Sequence, residues 1–183
     1  MKNSKAKNVA FYGIMIALAF ILSYLESFIP INAIIPIPGV KLGFANIVVL
    51  FALYTLKLRD AVIIAIIRVF LSGLLFGNPM TIAYSLCGCA LSLTVMYLTK
   101  KTKLSIIGVS MLGGIFHNIG QLIMAVILTH TSRIAYYLPV LLVSGMVTGL
   151  LMGFCAKMVI ERINKLEKKN NCLLYTSDAA DEA

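Results

Sequence analysis

The chain has 183 residues, is 60% hydrophobic and only 13% charged, and carries a formal net charge of +9. That balance excludes an ordinary soluble domain and points to one compact membrane domain, with the basic excess serving membrane orientation rather than nucleic-acid binding. Tryptophan is absent, so any aromatic belt must come from eight Tyr and nine Phe.

Residues 1–8 form a short basic N-terminus ahead of the first apolar segment, Val9–Ile29. That segment has no small-residue cleavage site and is as long as a bilayer crossing, so it reads as a retained first helix and not a signal peptide. It carries "GIMIA", with Gly13 and Ala17 four residues apart and Ala10 and Ala19 nearby. Small residues at that spacing let another helix approach closely, within the chain or from a partner. Glu26, near the end of this segment, is the only acid in any apolar stretch. The connection that follows, "PINAIIPIPGVKLG" from Pro30 to Gly43, has too many prolines for a regular helix. Its apolar character suits a lid or re-entrant segment over a cavity, with Gly39 in it and Lys41 at its base.

The second segment, Leu42–Leu56, contains Asn46, and the third, Ala61–Phe76, contains Arg68 near its centre. Both are short for a crossing of about 20 residues. An arginine at bilayer depth costs about 2.5–3.5 kcal/mol, so it must pair, face water or meet an anion. Pairing with Glu26 is one solution, and a polar or anionic ligand is the other. After "GNP", Gly77–Pro79, the fourth segment is Met80–Leu98.

The fifth segment, Leu104–Thr129, contains "GGIFHNIGQLIM". On a helix His117 and Gln121 are four apart, Asn118 and Gln121 are three apart, and Gly113 and Gly114 lie one turn earlier. One helix face therefore offers imidazole, carboxamides and bare backbone. Such groups can line a ligand cavity or stitch helices together, although interhelical bonds in membranes average only about 0.6 kcal/mol. The connection "HTSRIAYYLP", His130–Pro139, supplies Arg133, Tyr136 and Tyr137 at the same end as the Pro-rich loop, where tyrosines also serve as interface anchors. The sixth segment is Ile134–Ile160, followed by a basic tail over residues 161–171.

Thirteen Lys and Arg fall at one side of these segments and two, Lys41 and Arg133, at the other. The asymmetry predicts six transmembrane helices with cytoplasmic N and C termini. Residues 172–183, beginning "CLLYTSDAADE", resemble the translation of a transposon-end sequencing adapter and are read as a cloning or assembly scar outside the fold; a natural disordered tail is the alternative. Without their three acids the net charge becomes +12, counted from Glu26, Asp60, Glu161 and Glu167 against 16 Lys and Arg.

Several chemistries lack their residues. The region before that tail has one Asp, Asp60, so it has no Asp-rich motif for magnesium and a diphosphate. It has no P-loop, no Ser/His/Asp set, no metal-ligand cluster, no cofactor motif and no chain of carboxylates for a proton relay. Cys87, Cys89 and Cys155 lie in apolar segments as plain buried thiols. Independent catalysis is not expected.

At "PGVKLGFANIVVL", "RVFLSGLLFG", "FHNIGQL" and "YLPVLLVSGMVTGLLMG" the chain resembles a bacterial family, over about residues 9–160. That family is called heptaprenyl diphosphate synthase component I in one naming and the Gx transporter family in another. It is similar to the substrate-binding S components of energy-coupling-factor (ECF) transporters. The resemblance implies an all-α, six-helix, multi-pass bundle in the bacterial cytoplasmic membrane. It implies a ligand held under the loop between the first two helices, and docking through helix one to a transmembrane coupling subunit driven by two ATPases.

By that resemblance Gly13 and Ala17 form the docking surface. Gly39, Lys41 and Asn46 belong to the lid and its base, and Arg68, His117, Asn118, Gln121 and Tyr137 lie near the cavity. The chain departs from the docking pattern in having GxxxA where alanine usually stands at both positions. The S-component likeness implies uptake of a small polar or anionic molecule. The synthase name implies a non-catalytic partner of a separate prenyl diphosphate synthase subunit, serving the isoprenoid tail of menaquinone. A purely structural role beside redox or quinone proteins is a third possibility.

Overall fold

The computed structural model describes the backbone of residues 2–28, 43–44 and 46–181, and the side chains of these residues except 2–5, 7–8 and 167–181. Gly39, Lys41 and nearly all of the Pro-rich connection lie outside the described residues. What is described is helical: α1 (Lys2–Ser27), α2 (Asn46–Thr55), α3 (Leu58–Phe76), α4 (Pro79–Lys100), α5 (Ile106–Thr129), a 3-10 turn over Ser132–Tyr137, and α6 (Leu138–Asp181).

The helix boundaries follow local chemistry. Asn78 caps α4, its side-chain oxygen accepting from Thr81 N–H at 2.8 Å. Pro79 then occupies the first turn, where its missing N–H costs nothing. Ser105 caps α5 by accepting from Gly108 N–H at 3.1 Å. The far end of α5 breaks at His130, which takes left-handed backbone at φ 50°. Lys100, at the end of α4, reaches across to the end of α2. It donates to Leu53 O at 2.6 Å, a carbonyl in the last turn of α2, where a cation is favoured.

Four stretches are long and apolar enough to cross a membrane: Val9–Ser27, Pro79–Lys100, Ile106–Thr129 and Ser132–Leu166. By length and composition this is a multi-pass membrane protein. α3 has 19 residues but carries Arg59, Asp60 and Arg68. α2 has ten residues, so it covers about 15 Å, half of the hydrocarbon thickness. It is also the hub, with every residue from Val48 to Leu53 buried. A helix apolar all round belongs inside, and α1, α3 and α6 pack around it. Large apolar side chains on the outer faces of α1, α3 and α6, including Leu25, Leu74 and Val143, are exposed as lipid contact demands.

The structure differs from the sequence reading at several boundaries: α1 begins at Lys2, inside the N-terminus read as residues 1–8, and α3 begins at Leu58 and not Ala61. The sixth segment, read as Ile134–Ile160, divides into the 3-10 turn and α6, because Pro139 suits a helix first turn and not its interior. α6 then continues through the basic residues 161–171 and the acidic stretch to Asp181 as one 44-residue helix.

Candidate functional site

The buried face of α3 runs Ala61, Ile64, Ala65, Arg68, Val69, Ser72. This stripe of three- and four-residue steps carries the arginine inward with the aliphatics. Arg68 is 8% exposed. Its Nη2 donates to Asn46 Oδ1 at 3.4 Å and to Cys89 Sγ at 4.0 Å, both long contacts. Its Nε is buried without a hydrogen-bond partner. Asn46 is the first residue of α2, so the guanidinium lies beside a helix end that itself carries partial positive charge.

Glu26 sits deeper than its place near the end of the first segment suggested, at 6% exposure. Its Oε1 accepts from Gly43 N–H at 2.6 Å, which ties the end of α1 to the approach of α2. Gly43 has φ +79°, and a Cβ there would stand 3.1 Å from Asn46 Nδ2. Backbone conformation and the neighbouring amide both favour glycine at this position. The carboxylate weighed as a partner for Arg68 is thus engaged by backbone.

The polar face of α5 divides in two. A Cβ on Gly88 of α4 would lie 2.8 Å from His117 O, 2.9 Å from Gln121 Cγ and 3.1 Å from His117 Cε1, so both side chains pack onto α4 at that glycine. Asn118 turns to α6, where Nδ2 donates to Leu141 O at 2.8 Å and Ser144 Oγ at 3.4 Å. Gly113 and Gly114 divide the same way. Ser92 Oγ of α4 donates to Gly113 O at 2.8 Å, while Gly114 meets the backbone of Gly145 on α6. The cause is the 100° turn between successive residues, which places 117 and 118 on adjacent flanks of a helix packed on both sides. Three of the buried polar residues, His117, Asn118 and Gln121, therefore face two different neighbours.

The hollow near these groups is small. It is lined by Gly43, Asn46, Ser92, Ser110, Gly114 and Thr148 among others, and holds about 20 Å³. That is room for one water with several polar partners. Tyr137 lies in the 3-10 turn and is 43% exposed, with Tyr136 more exposed still. Gly13 and Ala17 lie on the exposed side of α1, and a Cβ at Gly13 would meet nothing within 4 Å. Cys87, Cys89 and Cys155 are free thiols.

One pattern escaped the sequence reading although its signal was present. Gly145, Gly149 and Gly153 form GxxxGxxxG on α6. A Cβ at Gly149 would stand 2.7 Å from Met111 Cα, and one at Gly153 would stand 2.9 Å from Ile107 Cα. These glycines bring α6 onto α5 at backbone distance, the packing by which helices associate in lipid. A second such contact joins Gly120 of α5 to Gly88 of α4, where a Cβ at Gly120 would lie 2.8 Å from Gly88 Cα.

The family model described as heptaprenyl diphosphate synthase component I matches residues 15–159. No curated protein and no solved structure matches the chain.

Proposed function

Because the chain belongs to the heptaprenyl diphosphate synthase component I family, we propose that it is a membrane-embedded binding subunit that acts through separate partner proteins. In the reading favoured here it captures a small polar or anionic molecule for uptake, with a coupling subunit and ATPases supplying the energy. One observation carries this: the Arg68 guanidinium is buried at the N-terminal end of α2 with Nε unpartnered. Two positive groups side by side in a low-dielectric interior favour an anion between them. Asn46, His117, Gln121 and, from outside the described residues, Gly39 and Lys41 are the groups proposed to complete the site. Tyr137 is proposed for its entrance. The exposed Gly13 and Ala17 are proposed to dock the coupling subunit.

The reading includes six crossings of a bacterial cytoplasmic membrane with both termini on the basic side. α2 supplies half of one crossing and α3 another. A ligand larger than water must widen the hollow beside Asn46, so binding is accompanied by movement of helices that now touch.

The test is native mass spectrometry on the purified protein. The wild type is expected to retain a small anionic molecule that Arg68→Leu loses. A wild type that carries nothing, from several lipid and extract conditions, overturns the uptake reading.

The family match favours a second reading, in which the chain is a non-catalytic component supporting a prenyl diphosphate synthase subunit. Co-purification with that catalytic subunit, with a changed product chain length when it is absent, would select this reading.

A further inference from the structure

A groove runs along the side of the bundle between α3 and α4, on a different flank of α4 from its seam with α5. Its volume is about 460 Å³, far larger than the hollow beside Asn46. Its walls are apolar: Leu58, Val62 and Ala65 from α3, and Ala90, Leu93 and Tyr97 from α4. Ala90 and Thr94 are exposed, so the groove opens sideways to where lipid would lie.

Length and charge say what fits. Between Leu58 and Ile66, both in the wall, α3 rises about 12 Å, close to the roughly 15 Å of one leaflet's hydrocarbon. The mouth at the Leu58 end is basic. Lys57 precedes α3, Arg59 lies in its first turn, and Lys101 Nζ stands 4.3 Å over the Tyr97 ring. Lys103 is exposed nearby in sequence, whereas Lys100 is engaged by Leu53 O. The one acid of that turn, Asp60, interacts with Tyr12 of α1. The far end reaches Leu86 and Cys89, and Cys89 is the residue whose Sγ accepts from Arg68.

We propose that this groove is a binding site for one acyl chain of an anionic phospholipid, drawn from the leaflet at the basic end, with its phosphate on Arg59 and Lys101. A space of about 460 Å³ takes roughly 15 to 20 chain carbons at interior packing density. That is one acyl chain, and about half of a seven-unit isoprenoid. A bilayer lipid also arrives with its chain at the right depth and its charge at the right height. The second chain stays in the membrane. The site stands apart from both readings of function above. It also bears on Arg68, because a seated chain packs against Cys89 and holds its sulfur at the guanidinium.

The experiment is native mass spectrometry of the full chain with phosphatidylglycerol and phosphatidylcholine as probes. The wild type is expected to retain one phosphatidylglycerol in preference to phosphatidylcholine. Thr94→Phe fills the groove from its open side and is expected to abolish retention. Ala90→Phe, on the same side, is the second variant should the first fold poorly. Arg59→Gln with Lys101→Gln is expected to weaken retention about 25-fold, at about fivefold for each rim charge. Arg162→Gln with Lys165→Gln, on α6, is expected to change nothing. Equal retention of the two lipids, indifference to both groove-filling variants, or equal loss from the α6 pair overturns the proposal. Displacement of phosphatidylglycerol by an equimolar isoprenyl diphosphate also overturns it and makes the groove an isoprenoid site.

Discussion

Arg68 and Asn46 join the middle of α3 to the first residue of α2, Nη2 donating to Oδ1 at 3.4 Å. The contact places the start of α2 inside the bundle, at the depth of the arginine. A cation normally favours the other end of a helix. Here it stands at the positive end, with its Nε unpartnered and with Glu26 bonded to Gly43.

Replacing Arg68 separates binding from folding. Arg68→Leu is expected to leave membrane insertion and thermal stability intact or improved, since an incompletely satisfied buried charge is removed. Retention of an anionic ligand is expected to fall by tenfold or more, from loss of a charged hydrogen bond of about 1.5–3 kcal/mol. Arg68→Lys should keep part of it. Ligand content by native mass spectrometry, read beside a melting curve in detergent, makes the comparison. A variant that loses stability and keeps its ligand would assign Arg68 to structure.

Asn118 should behave in the opposite way. Asn118→Ala removes the buried hydrogen bond from Nδ2 to the Leu141 carbonyl and is expected to cost about 0.6–2 kcal/mol, with ligand retention unchanged. Denaturant unfolding in micelles measures the first part. Lost retention at unchanged stability would return Asn118 to the ligand site.

The glycine seam gives a paired stability test. Gly149→Ala sets a Cβ 2.7 Å from Met111 Cα, against backbone that cannot swing away. It is expected to destabilise by about 1–3 kcal/mol. Gly13→Ala meets nothing within 4 Å and is expected to be neutral or slightly stabilising, as alanine is the better helix former. Equal melting temperatures for the two variants would contradict the close α5–α6 approach.

The outer face of α1 is tested by enlarging it. Gly13→Leu and Ala17→Leu replace exposed small residues and are expected to preserve folding while abolishing co-purification with a coupling subunit. Undiminished co-purification would leave the small surface of α1 to lipid.

Much of the architecture was readable from residues alone, and for a definite reason. In lipid, backbone polar groups must be satisfied within the segment, so long apolar runs become helices whatever their neighbours. Val9–Ser27, Pro79–Lys100 and Ile106–Thr129 followed from that constraint, while the caps Asn78 and Ser105 were seen only in the structure. The candidate site was less legible. Helical spacing grouped His117, Asn118 and Gln121 on one face, yet α5 is packed on two sides, and a 100° step sends Asn118 to α6 and its neighbour to α4.

Composition and periodicity by themselves determined that this chain is helical, belongs in a membrane and carries an arginine needing an explanation at depth. Only the tertiary structure decided that α2 is a buried ten-residue hub, that Glu26 turns to Gly43, and that glycines weld α4, α5 and α6 at backbone distance. The first set follows from each segment's own exchange of water for lipid. The second depends on which side chains of distant segments meet, and that is settled by packing between helices rather than by any one of them.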